Sequence, residues 1–144
     1  MIRPLLLLSD KLRDRLRRRR ETVTFASGRR GEDLAHRFLQ KKGYVVIARN
    51  FRTRTGSAEV DLIARSGDAV VFIEVKSRQS DEFGSPDRAI DQAKELRILR
   101  AASEYLRRAG LPEEAARFDI VNIVFHRKPA IEHIEDAFYF PRAV

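Results

Sequence analysis

Two runs of strand-forming residues, Val60 to Ala64 and Ala69 to Val75, are separated by the turn-like stretch Arg65-Ser66-Gly67-Asp68. The pattern predicts a β-hairpin, and a two-residue Gly67-Asp68 turn fixes its register. Ile63 then faces Phe72, Asp61 faces Glu74 and Glu59 faces Lys76. Alternation gathers Asp61, Ile63, Phe72, Glu74 and Lys76 on one side, and Val60, Leu62, Ala64, Val71, Ile73 and Val75 on the other. Large apolar residues on both sides describe an internal hairpin rather than a solvated edge.

The remaining periodicity frames this hairpin. Leu34, Ala35, Phe38 and Leu39 recur at helical spacing within residues 28–42, and Gly43 is the expected helix stop. Tyr44 to Phe51 predicts a first strand, and Ser77 to Asp87, with Gly84 and Pro86, a loop. Ala89 to Ala109 is the longest helical segment; Ala89, Ala93, Leu96, Leu99, Ala102, Leu106 and Ala109 form its expected buried stripe, closed by Gly110 and Pro112. Phe118 to Phe125 is apolar on both faces apart from Asp119 and Asn122, as an internal strand would be. Ile131 to Ile134 and Phe138 to Phe140 end the pattern as a short strand or strand-like tail. A leading helix, a strand, a hairpin, a long helix and a strand predict an α/β three-layer plan, a central mixed sheet flanked by helices.

Composition changes this picture at the N-terminus. The chain has 144 residues, enough for one domain with its own core, and a net charge of +8. Residues 1–30 carry ten basic and three acidic side chains, so the rest of the chain is nearly neutral. Residues 1–27 therefore form a separate basic arm ahead of one domain at 28–144. Leu5, Leu8, Leu12 and Leu16 lie at helical spacing among Arg13, Arg15 and Arg17 to Arg20. Such an arm suits a phosphate backbone, an anionic membrane surface or a solvated tail. Four consecutive leucines are too short for a signal-peptide core, and no later run is long enough to span a bilayer. Membrane insertion is not expected, and the absence of cysteine fits a reducing cytoplasm and excludes thiolate metal sites. His36, His126 and His133 show no metal-ligand spacing and are expected on the surface or in the core.

Candidate chemistry gathers in the hairpin. Facing carboxylates on a half-buried sheet repel by on the order of 4 kcal/mol at an effective dielectric near 20. A divalent cation bridging Asp61 and Glu74 would offset this; so would protonation of one carboxyl, or neutralisation by Lys76 and a nearby arginine. Glu32 shares the stripe of Ala35 and Leu39, where it either serves the helix macrodipole or supplies a third acidic group. Arg49, Arg52 and Arg54 surround Asn50, and Lys94, Arg97, Arg100, Arg107 and Arg108 load the polar side of the long helix. Both sets read as solvated surface or as phosphate contacts.

The segments GRRGEDLAHRFLQKKGYVVIARNFR, EVDLIA, VVFIEVKSR, AKELRILRAASEYL, RFDIV and IEHIEDAF resemble the YraN-like family of uncharacterised bacterial proteins, from Gly28 to about Phe138. That family is similar to the PD-(D/E)xK nucleases and, in the spacing of its helix Glu, Asp and Glu-x-Lys, to archaeal Holliday junction resolvases. The resemblance implies a restriction-endonuclease-like fold, with metal roles for Asp61, Glu74 and the Val75 carbonyl, a catalytic lysine at Lys76 and an acidic helix residue at Glu32. Val60 stands where the superfamily pattern has proline, and Ala58 where glycine is expected. The implied activity is hydrolysis of DNA phosphodiesters with Mg²⁺ or Mn²⁺ and no small-molecule cofactor, on structure-selective or repair-associated substrates including branched DNA. Lys94, Arg97 and Arg100 join Arg49, Arg52 and Arg54 as expected nucleic-acid contacts. A homodimer would suit cleavage of two strands. The alternative is a noncatalytic nucleic-acid-binding or repair-accessory module that retains the fold.

Overall fold

The computed structural model describes residues 28–79 and 91–142. The basic arm at 1–27, the loop glycine and proline at 84 and 86, and Ala89 lie outside them. Among the described residues, helix α1 covers 28–41 and is followed by strands β1 (Val45–Arg52), β2 (Glu59–Ser66) and β3 (Ala69–Gln79). Helix α2 (Gln92–Ala109), a 3-10 turn (Glu113–Ala115), β4 (Ala116–Phe125) and β5 (Ala130–Phe138) complete the fold. The five strands form one mixed sheet in the order β1-β2-β3-β4-β5, antiparallel except for the parallel β3–β4 pair.

The helices cover opposite faces. Ala35 and Leu39 of α1 pack with Leu62, Ala64, Val71, Ile73, Val121 and Ile123. On the other face Ile98, Leu99, Ala101, Ala102 and Leu106 of α2 pack with Ile63, Phe72 and Phe118. The result is the expected three-layer α/β/α arrangement, compatible with a nuclease-like fold, with β3 at its centre.

Local sequence explains the element ends. α1 stops at Gly43, whose φ of 91° is left-handed; Tyr44 N–H then donates to the Leu39 carbonyl at 3.0 Å and Gly43 N–H to that of Gln40 at 3.0 Å. α2 starts later than the periodicity predicts, at Gln92. The Asp91 carboxylate caps it by accepting from the N–H groups of Ala93 and Lys94 at 3.1 and 3.2 Å. Gly110, at φ 68°, ends it. The hairpin turns on Gly67, at φ 58°, and pairs Leu62 with Ile73, Ile63 with Phe72 and Ser66 with Ala69, the expected register.

Four expectations change. The β2–β3 ladder ends at Leu62–Ile73, so the facing pairs Asp61–Glu74 and Glu59–Lys76 do not form; Glu59 instead pairs with Arg52 of β1. Where β2 leaves β3, strict alternation lapses, and Val60 joins the α2-side core rather than Leu62 and Ala64. The buried stripe of α2 is turned: Leu96 is 52% exposed and Ala93 and Ala109 are exposed, while Ile98 and Ala101 go inward. A helix carrying Leu96, Ile98 and Leu99 within one turn has no unique apolar phase, so packing on the sheet decides it. Finally, the tail is one strand, Ala130–Phe138, antiparallel to β4.

Candidate metal centre

The site is built on the α2-facing side of β3. Phe72, Glu74 and Lys76 alternate onto that face, and the parallel register sets Ile120 beside Glu74 and Asn122 beside Lys76. Glu74 is only 3% exposed and its Oε1 accepts no aligned hydrogen bond, although the Lys94 ammonium lies 3.0 Å away. The contact is charge-assisted and occupies at most one lone pair of the oxygen, so among the described residues the other keeps acceptor capacity in a place without solvent.

Asp61 reaches the same region from the end of β2. Its Oδ2 accepts the Val75 N–H at 2.8 Å, which closes the gap left where the ladder stops. Burial pushes the Asp61 carboxyl up to about 6; the Val75 amide and Lys94 oppose that rise, and Glu32 and Glu74 add to it. Lys94 shows the complementary effect. Burial would lower its ammonium, but Glu74 and Asp61 outweigh it and hold the lysine above its ordinary value. Thus the charge that the hairpin concentrates is balanced by Lys94, a residue expected on the outer face of α2 as a nucleic-acid contact.

α1 brings Glu32 to the edge of this group. Gly31 permits the approach: a Cβ there would meet Ser77 Cβ and Oγ of β3 at 3.0 Å. The Glu32 carboxylate accepts from Asn50 Nδ2 at 3.1 Å and lies 3.5 Å from Arg49, which binds Asp33 at 2.8 Å. Asn50 sits in the left-handed region at φ 52°, a conformation asparagine tolerates better than most residues. Glu32 therefore influences Asp61 through space while its own hydrogen bond goes to β1.

Lys76 carries no hydrogen bond or ion pair among the described residues; nearby, in the first turn of α2, burial and then Glu74 hold the Glu95 carboxyl above its ordinary value, and the Lys76 charge only partly offsets that rise. Asn122 is 8% exposed, and no hydrogen bond from the described residues reaches its carboxamide. Of the remaining arginines, Arg52 is engaged with Glu59 at 3.0 Å, Arg54 offers its backbone N–H to Glu104, and Arg97 and Arg100 project from the exposed side of α2. The structure thus brings together Asp61, Glu74, Lys94 and the Val75 amide, with Glu32, Lys76 and Asn122 around them. Asn50, Glu95 and the inward role of Lys94 were not singled out by sequence; an asparagine between basic residues at a strand end was the one available signal.

The donor set suits one oxygen-seeking cation. Among the described residues no three acidic, histidine or cysteine side chains form a metal-binding group. One buried and one half-buried carboxylate are nevertheless what Mg²⁺ or Mn²⁺ commonly takes from protein, the remainder being water and phosphate.

Residues 31–123 match the uncharacterised protein family UPF0102. A UPF0102 protein of Solibacter usitatus is 47% identical over 125 residues, covering 87% of this chain and 93% of its own length. Another, from Rhodococcus jostii, is 46% identical, covering 78% of this chain and 96% of its own. A third, from Desulfosudis oleivorans, is 44% identical, covering 77% and 88%. With a family match over most of the chain and relatives of this identity and coverage, the protein belongs to the UPF0102 family.

Proposed function

We propose that the protein hydrolyses phosphodiester bonds of DNA with a divalent cation held by Asp61 and Glu74. The observation that carries this reading is the buried Glu74 carboxylate, one oxygen of which lacks an aligned donor, beside an Asp61 carboxyl that burial makes costly to ionise. Asp61 and Glu74 would hold Mg²⁺ or Mn²⁺, with the Val75 carbonyl as a further oxygen ligand. The cation would supply an acidified water and neutralise charge growing on the phosphate. Lys76, on the same face of β3, would place a fixed positive charge against the phosphate oxygens, and Glu32, held by Asn50, would orient water at the edge of the site. Arg97 and Arg100 on the exposed side of α2 supply phosphate contacts, with Arg49, Arg52 and Arg54 on the β1 side. We place this activity in the cytoplasm, on DNA that includes branched forms and with a homodimer suiting two-strand cleavage; among the described residues no helix is long and apolar enough to cross a membrane.

The test is incubation of linear, flapped and four-way-junction DNAs with Mn²⁺ and wild type, Asp61→Ala or Glu74→Ala protein. Cleavage by wild type and its loss in both variants is expected, with circular dichroism unchanged. Equal cleavage by all three proteins would overturn the reading. A second reading, a noncatalytic DNA-binding module, is favoured by one observation: the Lys94 ammonium, 3.0 Å from Glu74, gives that carboxylate a counter-charge from the protein itself. It predicts DNA binding without cleavage and no Mn²⁺ site in calorimetric titration.

A further inference from the structure

Lys94 stands where its own helix least favours a cation. It is the third residue of α2, at the positive end of the helix dipole, and its backbone N–H is held by the Asp91 cap at 3.2 Å. Its side chain nevertheless crosses to Glu74, with Nζ 3.0 Å from Oε1. The two partners are unequally buried: the Glu74 side chain is 3% exposed and that of Lys94 42%. The single, poorly aligned ammonium contact uses at most one lone pair of Oε1, so it balances charge without saturating the oxygen among the described residues. A permanent buried ion pair has the opposite character, as Arg117 and Asp119 show with two aligned bonds at 3.0 and 2.9 Å. Lys94 is thus a compact charge on a flexible four-carbon stem, anchored at the backbone and partly exposed to solvent.

We propose that Lys94 is a displaceable internal counter-ion: it holds the Asp61–Glu74 pair together until a divalent cation takes its place, and so sets the affinity of the site for that cation. The inference rests on the reading of Asp61 and Glu74 as metal ligands. Two cations at one carboxylate oxygen repel each other, so the lysine must swing toward solvent when the metal enters. Because the Asp91 cap fixes its backbone, this exchange is confined to the side chain. Removal of the ammonium leaves the carboxylates with a larger unmet charge and strengthens their hold on the metal. Replacement by arginine preserves the competition.

Calorimetric titration of the full chain with Mn²⁺ tests this in wild type, Lys94→Gln and Lys94→Arg, with Asp61→Asn locating the site. Lys94→Gln should bind about tenfold tighter than wild type, a ratio equal to about 1.4 kcal/mol. Lys94→Arg should lie within about twofold of wild type, since it keeps the charge. Measurable binding by wild type with equal or weaker binding by Lys94→Gln overturns the counter-ion inference and leaves the metal site standing. Absence of Mn²⁺ binding in wild type and Lys94→Gln alike overturns the metal site and the inference with it. A second measurement needs no variant: reductive methylation of wild type, read at Lys94 by peptide mass spectrometry, should run several-fold faster in Mn²⁺ than in EDTA. Equal rates overturn the displacement.

Discussion

Asp119 on β4 and Glu74 on β3 are both buried carboxylates on neighbouring strands, yet their surroundings differ completely. Asp119 is saturated. Arg117 donates to both of its oxygens, His133 Nε2 lies 2.7 Å from Oδ2, and the Asp136 N–H donates to Oδ1 at 3.0 Å. The network extends outward, with Arg117 donating to the Tyr44 hydroxyl, Tyr44 to Glu135, and the Lys42 ammonium to His133 Nδ1. Since Lys42 only donates, Nδ1 accepts and the Nε2 proton goes to Asp119. Burial alone would raise the Asp119 carboxyl, but His133, Arg117 and the Asp136 amide hold it below its ordinary value. Around Glu74 and Asp61 the donors are too few; burial wins and Asp61 rises to about 6. A buried charge with every lone pair used belongs to the fold, whereas one left short of donors is a candidate for a ligand.

The largest effect should come from breaking the saturated network. Asp119→Ala leaves Arg117 without its carboxylate and should cost about 3–5 kcal/mol, read as a lower urea midpoint at pH 7. Its pH signature follows from a folded-state value below 3.8: the stabilisation is present above that value and is lost as pH falls through the folded one. Wild type should therefore weaken steeply in strong acid, and a midpoint for Asp119→Ala equal to that of wild type would erase the contrast.

Asp61→Asn should act in the opposite direction. The folded carboxyl titrates near 6 and the unfolded one near 3.8, so the folded state binds more protons between those values. Its contribution is fully present below about pH 4 and is lost as pH rises through 6, a change on the order of 2–3 kcal/mol. The asparagine keeps an acceptor for the Val75 N–H and removes the like charge. Urea midpoints should match wild type near pH 3.5 and exceed it by a growing margin up to pH 7; a lower midpoint at pH 7 would mean that the Asp61 charge stabilises the fold.

The smallest effect is expected at an ion pair outside both regions. Arg52 and Glu59 meet at 3.0 Å with side chains 68% and 37% exposed. Arg52→Ala should change stability by less than about 1 kcal/mol, less still in high salt, because water already screens the pair. A larger loss would show that charge pairing itself, rather than burial, separates the two carboxylate regions.

Much of the fold was legible because its determinants are local. Gly43 and Gly110 end helices where left-handed backbone is needed, and Gly67-Asp68 fixes a register that holds from Ser66–Ala69 to Leu62–Ile73. The carboxylates of the site were legible for the same reason, since polar residues in apolar strands stand out against a period of two. Asp119 and Asn122 stood out too, but nothing local distinguishes the saturated aspartate from the amide, which has no hydrogen bond among the described residues.

The sequence by itself determined the order of elements, the hairpin register near its turn, and the presence of Asp61, Glu74 and Lys76 within it. Tertiary structure decided where β2 leaves β3, which side of α2 goes inward, and that Lys94 rather than Lys76 meets Glu74. The physical reason is range. Turns, caps and strand alternation depend on neighbours a few residues away, whereas the phase of a helix with leucines on two sides, and the donors available to a buried oxygen, depend on elements that only packing brings together.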